Sequence, residues 1–337
     1  MIYKNFENSL VTGGGGFLGE AIIRLLLKRG DHVTSFSRKY HKNIASLKVE
    51  QILGDIKDYE KVKAACKGMD VVFHVAAKPG VWGAYEDYFE TNVKGTENII
   101  SSCISNKVQR LVYTSSPSVV FDGGDMEGVD ESAPYPEKFQ THYQKTKAIA
   151  EQKVVKASNK IRTITLRPHL IWGPGDNHLI PRIIARADRM FIVGKGENLV
   201  DTVYVDNAAE AHILAADRLA EREDLSGRIY FISQDDPVCL WDIINEILKA
   251  AGLAPVTRSV SHKTAWIAGA LLELIYKTFR IRGEPQMTRF VADELATAHW
   301  FDISSAKKDL GYIPGISNRE GLDRLKEWLH NFKFKRP

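Results

Sequence analysis

The segment HYQKTKAIAEQ sets Tyr143 and Lys147 four residues apart, so on a helix both side chains leave the same face. An ammonium near a phenol favours the phenolate and draws its pKa down from about 10, which makes tyrosine a usable general acid or base. A hydroxyl that could steady a reacting oxygen is offered by RLVYTSSPSVV, a strand-like run ending in Ser115 and Ser116. A second set of residues points to a phosphate-bearing ligand. In VTGGGGFLGEAIIRLLLKRG, Gly13, Gly16 and Gly19 stand at a strand-to-helix junction, where the missing Cβ lets backbone amides approach a pyrophosphate at the positive end of a helix. Gly14 and Gly15 read as flexible turn. Where dinucleotide sites usually place a carboxylate against the ribose, TSFSRKY has Ser37, Arg38 and Lys39 instead. An acid there would repel a 2′-phosphate, whereas the planar fork of Arg38 suits one. NADP(H) is therefore the favoured ligand, with NAD(H) as the alternative.

These residues need a scaffold, and the chain alternates strand-like and helix-like runs to supply it. SLVT, HVTSF, VEQIL, VVFHV, RLVYTS and IRTITLR are strand-like, while AIIRLLLKR, YEKVKAAC, NVKGTENIISSCI and KTKAIAEQKVVKA carry helical periodicity. Asn5, Glu7 and Asn8 blur the start of the first strand. The alternation predicts an α/β fold: a doubly wound parallel-sheet Rossmann domain over residues 1–170, with a smaller C-terminal substrate lobe over most of 171–337. TVYVDNAAEAHILAA and RIYFIS, about 203–235, read as a return to the sheet. In AWIAGALLELIYKTF (265–279), Ile267, Leu271, Leu274, Ile275 and Phe279 share one helical face, opposite Gly269, Glu273 and Lys277. That helix is expected to pack on its own lobe or on another subunit, with a lid over an apolar substrate or a membrane-surface contact as alternatives.

Composition narrows the class. Lys plus Arg (46) barely exceeds Asp plus Glu (42), which excludes a nucleic-acid surface and confines any basic site to a local cluster. Three cysteines without CxxC spacing imply reduced thiols in the core and a cytoplasmic protein. None of the ten histidines has HExxH or Cys-His spacing, so no metal is expected.

TGGGGFLG, GDIKD, VFHVAA, NVKGTENII, YTSS, YQKTK, LRPHLIWGPGDN and VYVDNAAEA follow one another across essentially the whole chain as in the extended short-chain dehydrogenase/reductase superfamily, which this sequence resembles. The resemblance implies a catalytic set of Ser116, Tyr143 and Lys147, with Ser115 the less favoured serine. It places Asp55 and Ile56 beside the adenine, Ala76 and Ala77 along the cofactor cleft, and Pro168 to Leu170 beside the nicotinamide. Gly13, Gly16, Phe17, Leu18, Gly19, Ser37, Arg38, Lys78 and Thr114 would also meet the cofactor, and Asn92 would brace the catalytic region. Without the family, His74 and Asn92 read as satisfied core polar residues.

Sugar-nucleotide dehydratases of the superfamily carry Asp-Glu after the strand that supplies the hydroxyl, and Ser-Pro stands there in this sequence. LRPHLIWGPGDNHLIPRI and VGKGENLVDTVYVDN are similar instead to the 3β-hydroxysteroid dehydrogenase branch. Within it the chain resembles reductases of 2-alkyl-3-oxoalkanoic acids in long-chain olefin biosynthesis, through AAKPGVWGAY, and also decarboxylating 4α-carboxysterol dehydrogenases. The implied substrate is a lipid-like keto acid met by Lys78, Trp82, Ser116 and His169, with Arg182 competing for the carboxylate. Residues 265–279, with Trp266 and Trp300, would help enclose its alkyl chains. Implied partners are a second subunit in a homodimer, other olefin-pathway enzymes and at most a peripheral membrane contact.

Overall fold

Seven of the strand-like runs join one parallel sheet in the computed structural model, which describes residues 8–331. They are β1 (Asn8–Thr12), β2 (His32–Ser37), β3 (Glu50–Leu53), β4 (Val71–His74), β5 (Arg110–Thr114), β6 (Arg162–Pro168) and β7 (Arg228–Ile232). Their order across the sheet is 7-6-5-4-1-2-3, so the winding reverses between β1 and β4. Ligands of doubly wound sheets bind at such a reversal, outside the carboxyl ends of the strands. The first strand begins at Asn8; Asn5 and Glu7 lie outside the described residues.

Neighbouring strand residues face opposite layers, and with helices on both faces the central strands are buried along most of their length, polar residues such as Ser9, Thr12 and Ser35 included. Val11, Val71, Phe73, Val112 and Leu166 share a core with α1 (Phe17–Arg29), whose Leu18, Ile22, Ile23 and Leu26 form one buried stripe. Leu10, Val72, Leu111 and Tyr113 share another with α2 (Gly95–Ser105) and α3 (His142–Lys156). The return to the sheet differs from expectation at TVYV. Val203–Tyr204 pairs only with Ile171–Trp172, in a separate two-stranded sheet. What returns is α4 (Val205–Glu221), packed against α1, followed by β7 beside β6. Cys66, Cys103 and Cys239 are all free thiols, the first two buried.

A smaller four-stranded sheet contains Val238–Cys239, Leu199–Val200, His299–Phe301 and Met126–Val129, in that order. The last of these comes from the first half of the chain and pairs with His299–Phe301. Trp172, Trp241, Ile244, Leu248 and Leu325 centre the adjoining core.

The amphipathic segment forms α5 (His262–Thr278), which lies on α6 (Arg289–Ala296), but with the opposite face from the one its periodicity suggests. Ala265, Gly269 and Glu273 are buried, whereas Ile267, Leu271, Leu274, Ile275 and Phe279 are exposed. The physical reason is close backbone approach: a Cβ on Gly269 would stand 2.6 Å from the Thr288 carbonyl carbon. Glu273 then accepts hydrogen bonds from the Arg289 backbone N–H (2.8 Å) and guanidinium (3.0 and 2.7 Å), satisfying the positive end of α6. None of these exposed residues lines the large cavity of the sheet. No helix among the described residues is long and apolar enough to cross a membrane.

Candidate active site

A cavity of about 550 Å³ opens at the carboxyl ends of β1, β2, β4 and β5, at the reversal in strand order. One end is formed by the glycine turn. Gly13 has φ +70°, and a Cβ there would meet the Ala76 backbone at 3.0 Å, so only glycine lets β1 and the loop after β4 close on each other. Gly14 and Gly15, read from sequence as loose turn, are instead tightly packed. A Cβ at Gly15 would fall 2.1 Å from the His41 ring, and one at Gly14 would fall 2.5 Å from Ser35 Oγ. Gly16 then caps α1, whose N-terminus faces the cavity with Phe17, Leu18 and Gly19. Such a cradle fits a pyrophosphate.

Ser37, Arg38 and Lys39 line the same end. Ser37 Oγ donates to the Lys39 carbonyl at 3.0 Å and shapes the turn, leaving Arg38 exposed, with no ion pair among the described residues. Asp55, Ile56, Ala76 and Ala77 complete the wall. Those residues can hold a dinucleotide.

The other end holds Thr114, Ser115, Ser116, Tyr143, Lys147 and Pro168. Thr141 and Gln144 form a reciprocal capping box that starts α3 just before Tyr143 and fixes its direction. Protein packed around the Tyr143 hydroxyl pushes its pKa up to about 12, while a hydrogen bond with Ser116 pulls it partly back. This reverses the expectation that Lys147 would lower it. Lys147 Nζ donates instead to Tyr113 Oη (2.7 Å) and to the Thr114 carbonyl (2.6 Å). Burial brings the pKa of Lys147 itself down to about 7, against the opposing pull of Glu151. Ser115 Oγ is buried without a hydrogen-bond partner among the described residues, whereas Ser116 Oγ lies at the cavity wall beside Tyr143 and meets Ser118 Oγ at 3.0 Å. The arrangement can hold a carbonyl oxygen between two hydroxyls and give it a proton.

A one-directional chain of hydrogen bonds braces the two ends. The Ala76 N–H donates to Thr12 Oγ1 (3.2 Å), whose hydroxyl must then donate to His74 Nδ1 (2.8 Å). His74 Nε2–H donates to Thr96 Oγ1 (3.0 Å), which donates to the Asn92 carbonyl (2.7 Å). Burial and Lys147 hold the His74 pKa at about 3, so the ring stays neutral and this tautomer persists. Asn92, in a π-helical turn, carries the brace onward: its side chain bonds the Lys78 N–H (2.7 Å), the Lys78 carbonyl (3.2 Å) and Thr146 of α3 (3.2 Å).

Several expected contacts are not in the cavity wall. Asn92 and Leu170 do not line it; Asn92 acts through the loop and α3, and Leu170 turns the chain with φ +41°. Lys78 lies outside the wall, its Nζ 3.3 Å from the exposed carboxylate of Asp87. Trp82 packs edge-on to Tyr276, and Arg182 pairs with Glu284. His169 is neutral as well, because burial drops its pKa to about 3; its Nδ1 donates to the Asp201 carbonyl at 2.7 Å. It borders a small separate cavity with Ser118, Glu294 and His299. Among wall residues not singled out from sequence, Asp176 caps the helix Leu179–Arg186, accepting from the N–H groups of His178, Leu179 and Ile180. The Asp-Asn pair after GPG was a readable cap signal. His41 and Thr91 had none. No cluster of potential metal ligands occurs among the described residues.

Known proteins bear on this geometry. Over 96% of its length the chain is 46% identical to a 2-alkyl-3-oxoalkanoate reductase of Shewanella oneidensis, covering 86% of that protein. It is 33% identical to the decarboxylating sterol-4-alpha-carboxylate 3-dehydrogenase of Mus musculus, covering 96% of this chain and 91% of the relative. MoeE5 in complex with UDP-glucose and NAD superposes with a TM-score of 0.75 over 96% of this chain and 99% of that one; at 24% identity it shares the fold. Residues 10–261 match the 3-beta hydroxysteroid dehydrogenase/isomerase family profile. With its parallel seven-stranded sheet and its site at the strand reversal, the chain belongs to that family of oxidoreductases.

Proposed function

We propose that this protein reduces a long-chain 2-alkyl-3-oxoalkanoic acid to the 2-alkyl-3-hydroxy acid with NADPH. The observation that carries the reading is the cavity wall, which sets Ser116, Tyr143 and Lys147 together at one end and the glycine turn with Arg38 at the other. Burial keeps the Tyr143 phenol protonated at neutral pH, the state in which it can donate to a carbonyl oxygen. At the opposite end Arg38 is free to pair with a 2′-phosphate.

NADPH, when bound, supplies the hydride. Gly13, Gly16 and the start of α1 would receive its pyrophosphate, and Arg38 its 2′-phosphate. Ser116 and Tyr143 hold the 3-oxo oxygen, and Tyr143 gives its proton as negative charge develops there. Lys147, with two of its three donors committed to Tyr113 and Thr114, has one left for a ribose hydroxyl. The 46% identity to a 2-alkyl-3-oxoalkanoate reductase supports the substrate class.

The sterol-4-alpha-carboxylate dehydrogenase relative supports a second reading, NAD-dependent oxidation of a 4α-carboxysterol. Both substrates carry oxygen next to a carbon bearing a carboxylate. Side-by-side kinetics separate them: the proposal expects turnover of a branched β-keto acid with NADPH far above turnover of the sterol with NAD. The reverse order would overturn it.

A further inference from the structure

We infer that the outward face of α5 docks on an anionic lipid surface. Ile267, Leu271, Leu274 and Ile275 are 45%, 56%, 62% and 42% exposed, and Phe279 and Ile281 continue the patch at 73% and 41%. At about 100° per residue the first four fall within one sector of roughly 100°, wide enough for a continuous apolar stripe. No carboxylate interrupts it, because Glu273 is turned inward onto Arg289. The exposed charges between residues 262 and 283 are Lys263, Lys277, Arg280 and Arg282, all cationic.

An apolar stripe whose own segment exposes only cations matches acyl chains beneath anionic headgroups, even with the carboxylates of Glu86 and Asp87 exposed on the neighbouring segment. The same charges disfavour a second copy of the chain as occupant, since a two-fold contact through this face would set like cations against one another. Aromatic groups at the border fit the headgroup level: Trp82 meets Tyr276 edge-on at 6.3 Å and lies under Lys277 at 5.6 Å. Trp82 also belongs to the loop that begins with the wall residue Pro79, so the docked face borders the cavity mouth.

The test is flotation of the full chain with phosphatidylcholine vesicles, with and without phosphatidylglycerol. Binding is expected with phosphatidylglycerol and should weaken with salt. Leu271→Ser with Leu274→Ser, and separately Arg280→Glu with Arg282→Glu, should each lower partitioning by roughly tenfold or more. All four side chains are exposed, so thermal midpoints should stay at the wild-type value. Failure of the wild type to bind phosphatidylglycerol vesicles overturns the inference, as does equal binding by both variants. A dimer that sediments as monomer once Leu271 and Leu274 are replaced, with no vesicle binding, would assign the face to self-association instead. None of these readouts depends on cofactor or substrate, so this inference and the proposed reaction can fail separately.

Discussion

Arg38 and Lys147 are both cations on the wall of one cavity, yet Arg38 is exposed and without an ion-pair partner among the described residues while Lys147 is buried and bound to Tyr113 and Thr114. The exposed cation can bind a ligand's charge but holds no geometry of its own. The buried one is placed by its neighbours and has a strongly lowered pKa. One end of the cavity should therefore govern which cofactor binds, and the other whether chemistry follows.

The sharpest way to break that division is Tyr143→Phe, which should lower kcat by about 10²–10⁴ while cofactor affinity, measured by titration, changes less than about twofold. A comparable loss of both would merge the two ends. Arg38→Asp should act the other way round. Removing a charge-assisted contact and adding repulsion should move the NADPH-to-NADH preference in kcat/KM by roughly tenfold to a hundredfold, with kcat for NADH little changed.

The pH dependence of stability isolates Lys147. Its folded pKa of about 7 lies below its unfolded value of about 10.4, so across that window the unfolded chain binds more protons. Its contribution thus raises stability as pH climbs from about 7 to about 10, at up to ~1.4 kcal/mol per pH unit. Lys147→Met should lack this rise, which thermal unfolding near pH 7 and near pH 9 would reveal. The smallest expected effect is ionic: added salt should weaken NADPH binding at Arg38 severalfold while leaving kcat at saturating cofactor nearly unchanged.

Much of this division was legible in the sequence because it rests on local signals. The seven sheet strands are short apolar runs, and the wall residues Gly13, Gly16, Ser37, Arg38, Ser116, Tyr143 and Lys147 sit at fixed places on their elements. Charge partners were harder to read. Lys78 follows the cofactor-lining alanines in sequence, but nothing local announces Asp87 as its partner. The direction of the Tyr143 pKa was hidden for a related reason: spacing on α3 cannot show how much protein packs around the hydroxyl, and that burial is what raises it. Periodicity likewise finds an apolar stripe without saying which face is covered. On α1 the stripe is buried; on α5 a glycine's close approach buries the other side. That glycine-mediated contact joins elements across a loop and carries no period of its own.

The pairing of Met126–Val129 with His299–Phe301 has a consequence for biosynthesis. Its partners are 172 or 173 residues apart, and Asp125 and Ala298 in the hydrogen bond that flanks it are 173 apart. At a ribosomal rate of about 5–20 residues per second, the upstream strand would wait roughly 9–35 s for the downstream one to be made. During that interval its backbone donors and acceptors, and the neighbouring apolar Phe121 and Met126, lack their final cover. A chaperone that shields nascent chains would therefore have this strand to cover between synthesis of the two segments, and a ribosome stalled before residue 299 would carry a chain whose Met126–Val129 strand still lacks its partner.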